Sequence, residues 1–145
     1  MTNYVPELQE FRTVRLWMED GQDLRALLLA EEMMADTCMR LSRQTPARES
    51  AVLQRLARDA RGHAACLEGI SVLVTGEVPD IRTPAPEAGS MAALLRKCYG
   101  RAMRTLVTYE ARSQDREYGP VFARLAAQQR DQCRIILELI GALGK

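Results

Sequence analysis

The chain has 145 residues with 20 Lys or Arg, 19 Asp or Glu and one His, so its net charge is close to zero. Hydrophobic residues make up 47% of it, which excludes a disordered chain and suffices for one domain with its own core. The balanced charge argues against a nucleic-acid surface, and the apolar runs, such as ALLLA at 26–30, are far shorter than the ~20 residues of a membrane span. We therefore expect a single soluble domain without a nucleic-acid or membrane partner.

The N-terminal sequence MTNYVPELQE lacks the basic-then-apolar layout of a signal peptide, so we expect a cytoplasmic protein. Its four cysteines, Cys38, Cys66, Cys98 and Cys133, are spread singly and form no Cys-x-x-Cys pair. This spacing argues against a zinc ribbon. We expect reduced thiols that pack as small apolar side chains, with a redox pair as the alternative.

The first 20 residues carry Phe11, Val14 and Trp17 at helical spacing, which predicts a short helix or a packed arm. Asp20 and Gly21 then mark a break, and Asp20 is a suitable cap for the helix that follows.

The first long helix is predicted over residues 22–44. Its inward stripe has alternating three- and four-residue spacing and consists of Leu24, Leu28, Glu32, Ala35, Met39 and Ser42. Pro46 cannot continue this helix, but it suits the first turn of a new one.

The second helix is predicted over residues 46–74, with an inward stripe that contains the only histidine of the chain: Leu53, Leu56, Ala60, His63, Leu67 and Ile70. Residues 75–90, TGEVPDIRTPAPEAGS, hold three prolines and two glycines. We expect them to form one long connection that crosses the end of a bundle.

The third helix is predicted over residues 90–113 with Ser90 as its cap, and the fourth over residues 120–143 after the break QDREYGP. Shifting the chain by 69 residues lays VLQRLARDARGHA (52–64) over VFARLAAQQRDQC (121–133), as two repeated helical hairpins would require. The pattern predicts an all-α, antiparallel four-helix bundle over residues 21–145.

Three segments carry a resemblance to a known family: LLLAEEMMADTCMRL, LQRLARDARGHAACLEGI and EYGPVFARLAAQQRDQCRIILELIGAL. Over about residues 20–143 the chain resembles the ferritin-like superfamily, and specifically its small rubrerythrin-like members. The resemblance implies a dimetal site at the bundle centre. One Glu would come from each of the first and third helices, and a Glu-x-x-His from each of the second and fourth.

Most of those ligand positions hold other residues in this chain. The resemblance places the first-helix glutamate on Glu32, with Glu31 as its neighbour, and the second-helix histidine on His63. The remaining positions, which the resemblance marks as lost ligands, fall on Ala60, Ala102, Gln129 and Gln132. The resemblance therefore implies a degenerate diiron site, because one carboxylate and one imidazole cannot balance two divalent ions.

Two nearby acids do not replace the lost ligands. Asp59 lies ~100° around its helix from Ala60. Glu110 lies eight residues beyond Ala102, more than two helical turns along the bundle. Neither carboxylate is expected at the level of the site.

We predict a polar core cluster in place of the metals, formed by Glu32, His63, Gln129 and Gln132, and no cofactor. A buried Glu32 needs partners, and His63 and the two amides can supply them. The alternative is a single zinc or iron ion held by Glu32, His63 and a cysteine, either Cys66 or Cys133.

The first functional hypothesis is a non-catalytic structural or interaction module of unknown biochemical role that pairs as a homodimer. Outward Phe11, Trp17, Leu27 or Val74 would form the pairing surface. The alternative is a divergent rubrerythrin-like metal-binding oxidoreductase, which would need bound iron. A third hypothesis is a small molecule bound in the space that the metals would have filled.

Overall fold

A computed structural model of the protein describes residues 21–143. These residues form four helices and no strand: α1 (Gly21–Ser42), α2 (Ala47–Thr75), α3 (Met91–Arg112) and α4 (Gly119–Leu143). The predicted all-α four-helix bundle is confirmed, and every helix end lies within two residues of its predicted position. The predicted N-terminal arm, residues 1–20, lies outside the described residues. No helix between residues 21 and 143 is long and apolar enough to cross a membrane.

The helix ends follow from local chemistry. Pro46 stands immediately before α2, and Gly76 ends it with φ of 79°, in the left-handed region that glycine adopts without strain. The Ser90 hydroxyl accepts a hydrogen bond from the Ala93 backbone N–H at 3.1 Å, which confirms the predicted cap of α3. Gly119 begins α4 where a Cβ would lie 2.7 Å from the Ser113 carbonyl oxygen, so this turn accepts only glycine.

The four helices pack as two hairpins, α1 with α2 and α3 with α4. Helix α1 also lies beside α3, and α2 beside α4, which leaves α1 and α4 on one diagonal and α2 and α3 on the other. Asp23 at the start of α1 forms an ion pair with Arg112 at the end of α3, so these two neighbours are antiparallel. All four adjacent pairs are therefore antiparallel.

The connection between α2 and α3, residues 76–90, takes a different path from the one predicted. It begins beside Leu24 near the start of α1 and reaches Thr37 and Arg40 near its end, so it runs along the bundle instead of crossing its end. The reason is geometric: α2 and α3 point in the same direction, and the chain must return the length of a 22-residue helix, about 33 Å. Glu87 fixes the far end through Arg101 at 2.7 Å and Lys97 at 3.0 Å.

The core is built from the inward stripes of all four helices. Leu27 and Val74, expected to face outward, are 3% and 7% exposed and belong to this core. Phe11 and Trp17 lie outside the described residues. The most exposed large apolar side chains in the described part of the chain are instead Leu73, Val107 and Val78. All four cysteines are free thiols, and three of them are buried, as expected of small apolar side chains.

Candidate functional site

A buried carboxylate lies at the centre of the bundle, on α1. Glu31 is 1% exposed, and its Oε2 atom lies 2.6 Å from Nδ1 of His63 on α2. The Tyr109 hydroxyl, on α3, donates to the same oxygen at 3.1 Å. One carboxylate oxygen thus accepts hydrogen bonds from two other helices and ties them to α1.

The second ring nitrogen of His63 also has a partner. Nε2 lies 2.9 Å from Oε1 of Gln128 on α4, so the network joins all four helices. A carboxylate and an amide oxygen are both acceptors, so this arrangement favours the imidazolium form, in which both ring nitrogens donate. Burial lowers the pKa of His63, but the hydrogen bond and charge of Glu31, helped by Gln128, outweigh burial and raise it.

The network, defined as Glu31, His63, Tyr109 and Gln128, corrects the predicted position of the acid. Glu32 was predicted to pair with His63, but Glu31 does so, and this prediction is wrong by one residue. The apolar neighbours of Glu31 one turn away on either side, Leu28 and Met34, are both 1% exposed. Glu32 lies ~100° further around the helix, only partly buried. Its pKa is raised by partial burial and then by repulsion from the nearby acids Asp36 and Glu68.

Gln129 and Gln132 lie in the core but outside this network. They are 0% and 2% exposed. The Gln129 amide nitrogen donates to the Ala102 carbonyl oxygen at 3.2 Å, while its Oε1 has no partner in the described chain. Both polar atoms of Gln132 lack a hydrogen-bond partner among the described residues. The predicted cluster of Glu32, His63, Gln129 and Gln132 is therefore not the one that forms.

Two members of the network were not predicted from the sequence. Tyr109 is fully buried on α3, and because a buried phenol needs a hydrogen-bond partner, this requirement could have indicated its role. Burial, followed by the charge of Glu31, raises the pKa of Tyr109, which keeps its hydroxyl a donor. Gln128 is exposed on α4, and no pattern in the sequence distinguishes it from other surface glutamines.

The donor set does not fit a dimetal centre. Glu31 is the sole buried carboxylate in residues 21–143, and its Oε2 already serves an imidazolium and a phenol. Ala60 and Ala102 are fully buried and offer no side-chain ligand. Two divalent ions in an apolar core need several carboxylates to balance their charge.

The single-ion alternative also lacks a ligand group. No cluster of three or more His, Cys, Asp or Glu side chains suited to a metal ion occurs within residues 21–143. Cys66 is partly exposed and Cys133 is buried. Neither joins His63 and an acid in such a cluster.

A groove of about 550 Å³ opens between α2 and α4, the adjacent helices that make the least contact with each other. The network reaches this groove, because His63 and Gln128 lie in its wall. The other lining residues are mostly charged or polar and include Arg55, Arg58, Asp59, Cys66, Arg124, Asp131 and Gln132.

Comparison with known proteins defines the class of fold. No family model and no curated protein matches the sequence. Chlorobium tepidum ferritin matches in structure with a TM-score of 0.65 and 17% identity, over 83% of this chain and 81% of its own. A ferritin-like, diiron-carboxylate protein from Bacillus anthracis str. Ames matches with a TM-score of 0.69 and 15% identity, over 97% of this chain and 99% of its own. The chain therefore has the ferritin-like four-helix fold.

The raised pKa of His63 predicts how stability changes with pH. The contribution of the protonated imidazole is fully present below its unfolded pKa of about 6.5, and is lost as the pH rises through the higher folded pKa. The free energy of unfolding, measured by urea denaturation at a series of pH values, should therefore fall as the pH rises above about 6.5 and level off once the folded pKa is passed. A His63→Gln variant should lose this part of the pH dependence, and an unchanged pH profile in the variant would contradict the assignment.

Proposed function

We propose that this protein is a non-catalytic ferritin-like bundle, a structural or interaction module in which a protein-only network replaces a diiron site. The observation that carries the proposal is the pairing of Glu31, the sole buried carboxylate of residues 21–143, with His63 and Tyr109 at 2.6 and 3.1 Å. A carboxylate held in this way is neutralised by the protein itself, so it has no need of a metal ion to balance its charge.

The network also supports a structural role through its connections. It joins one side chain from each helix, and three of the four members are at most 5% exposed. Fully hydrogen-bonded polar groups in a core fix the register of the helices around them, because every displaced alternative leaves a buried group without a partner. The proposal also holds that the ligands of a diiron site have been replaced at four positions: Ala60, Ala102, Gln129 and Gln132.

The proposal includes a homodimer in the cytoplasm. Val72 and Leu73, near the end of α2, are 44% and 75% exposed, and this adjacent pair of apolar side chains is a candidate for a pairing surface. Sedimentation equilibrium of the full chain should give twice the monomer mass of 16.3 kDa. A mass of one chain at micromolar concentration would contradict the dimer and leave the metal-free network unaffected.

Metal content tests the proposal directly. The full chain, purified without a metal-affinity step, should contain well below one iron or zinc ion per chain by elemental analysis, before and after incubation with ferrous iron or zinc followed by desalting. About two iron ions per chain would favour the alternative, a divergent rubrerythrin-like metal-binding oxidoreductase. About one zinc ion, lost in a Cys66→Ser variant, would favour the single-ion site instead.

A further inference from the structure

The groove between α2 and α4 contains a buried side chain whose polar atoms have no partner. Gln132 is 2% exposed, lines the groove, and makes no hydrogen bond with the described residues through either Nε2 or Oε1. A buried amide without partners is destabilising by about 1–3 kcal/mol for each unsatisfied group, so its presence calls for an explanation. An occupant of the groove that offers both an acceptor and a donor would satisfy it.

The charges around Gln132 indicate the sign of that occupant. Arg58 and Arg124 both line the groove, and neither has a carboxylate within ion-pair distance among the described residues. Arg55 reaches Asp59 only at 3.9 Å, and both side chains are largely exposed. Against these three cations the groove wall holds two acids, Asp59 and Asp131. Three guanidinium groups against two carboxylates leave the groove wall with an excess of positive charge. His63 and Glu31 do not change this balance, since their charges cancel each other.

Helical spacing places these groups along one accessible strip. On α4, Gln128 follows Arg124 by four residues, and Asp131 and Gln132 follow Gln128 by three and four, so they share a face. On α2, Arg58 and Gly62 are four residues apart, and the space where a Gly62 side chain would lie is open. Small side chains and separated helices make the strip wide enough to admit a ligand.

We propose that this groove binds a small organic anion that carries a carboxylate or phosphate group next to a hydroxyl. Arg58, which lies near the level of Gln132 on the facing helix, would bind the acid group, since its guanidinium matches the acid oxygens with paired N–H donors. Arg124, two turns from Gln132 along α4, would add positive charge at the other end of the groove. The Gln132 amide nitrogen donates to an oxygen of the anion, and its Oε1 accepts from the hydroxyl. The volume of about 550 Å³ lies within the range of known small-molecule sites.

This binding role goes beyond the structural role proposed above and does not require it. The residues that carry it are not members of the network, and none of them needs a metal. Binding measurements are therefore made in the presence of a chelator, so that metal content and ligand binding are tested separately.

Malate and glycerol 3-phosphate serve as the hydroxyl-bearing probes, with succinate and n-propyl phosphate as matched probes that lack the carbon-bound hydroxyl. Calorimetry on the full chain should show binding of malate or glycerol 3-phosphate, about tenfold tighter than its matched probe, since one hydrogen bond to Gln132 is lost. Whichever of malate and glycerol 3-phosphate binds more tightly shows whether the acid group of the ligand is a carboxylate or a phosphate. Amide chemical shifts should change along α2 and α4 and remain fixed along α1.

Two variants and two control variants test whether the anion binds in this groove. Arg58→Gln and Gln132→Leu should each weaken binding about tenfold or more, because each removes a direct hydrogen bond to the anion. Arg61→Gln, on the same helix but outside the groove, and Gln129→Leu, buried but not lining it, should leave binding unchanged.

Gln132→Leu should also raise the free energy of unfolding, because it removes unsatisfied polar atoms from the core. A loss of binding in this variant therefore cannot be attributed to unfolding. The absence of binding of all four probes at millimolar concentration, or equal affinities in Arg58→Gln, Gln132→Leu and their controls, would overturn the proposal.

Discussion

Replacing Glu31 with alanine is expected to lower the free energy of unfolding by about 3–5 kcal/mol, the range found when one partner of a buried ion pair is removed. The substitution leaves Nδ1 of His63 and the hydroxyl of Tyr109 without their shared acceptor, and both rings are buried. Urea denaturation followed by circular dichroism at neutral pH measures the change.

The matched control is the neighbouring residue. Glu32→Ala changes the same side chain one position further along α1, where the carboxylate is only partly buried and repelled by Asp36. It should alter the free energy of unfolding by less than about 1 kcal/mol, as surface substitutions usually do. Equal losses in the two variants, or a larger loss for Glu32→Ala, would restore the register predicted from the sequence and contradict the structural one.

Placing a glutamate at Ala60 is expected to destabilise the bundle by more than about 3 kcal/mol. Ala60 is 0% exposed, so a larger side chain overpacks the core and its carboxylate is buried without a cation. The network cannot neutralise it, because the charge of His63 is already matched by Glu31. Urea denaturation followed by circular dichroism measures the change. A thermal melt is added because the variant is expected to be partly unfolded even without denaturant.

Ala65→Glu provides the control, since Ala65 lies on the exposed face of the same helix. It should change stability by no more than about 0.5 kcal/mol. If ferrous iron restored the stability of Ala60→Glu to that of Ala65→Glu, the core would still be able to bind metal. That result would contradict the proposed metal-free network.

The fold could be predicted from the sequence because it depends on periodic signals that repeat over many residues. The inward stripes of α2, α3 and α4 run over at least 16 residues each. An unusual residue at a single position therefore does not change the helix that the pattern predicts. The path of residues 76–90 could not be predicted, because composition identifies a long connection but does not give the relative direction of the helices that it joins.

The site depends on single residues, and there the prediction was weaker. His63 was correctly expected in the core, but the choice between Glu31 and Glu32 turns on a rotation of ~100° about α1. Adjacent apolar pairs such as Leu27 and Leu28 make the stripe of α1 broad enough for either register. Gln128 could not be found at all, because its contribution depends on the separation of α2 and α4 and not on its own burial. The replacement of ligands at Ala60, Ala102, Gln129 and Gln132 stays a prediction.

The central claim is that His63 is held by Glu31 and Gln128 and not by a metal ion. Since His63 is the only histidine in the chain, a nitrogen–proton correlation spectrum of the imidazole gives its signals without ambiguity. At pH 6, below the ordinary imidazole pKa of about 6.5, the spectrum should show protons on both ring nitrogens, unchanged by a chelator or by added ferrous iron or zinc. The loss of one ring proton, or a shift or broadening of the ring signals when metal is added, would contradict the account.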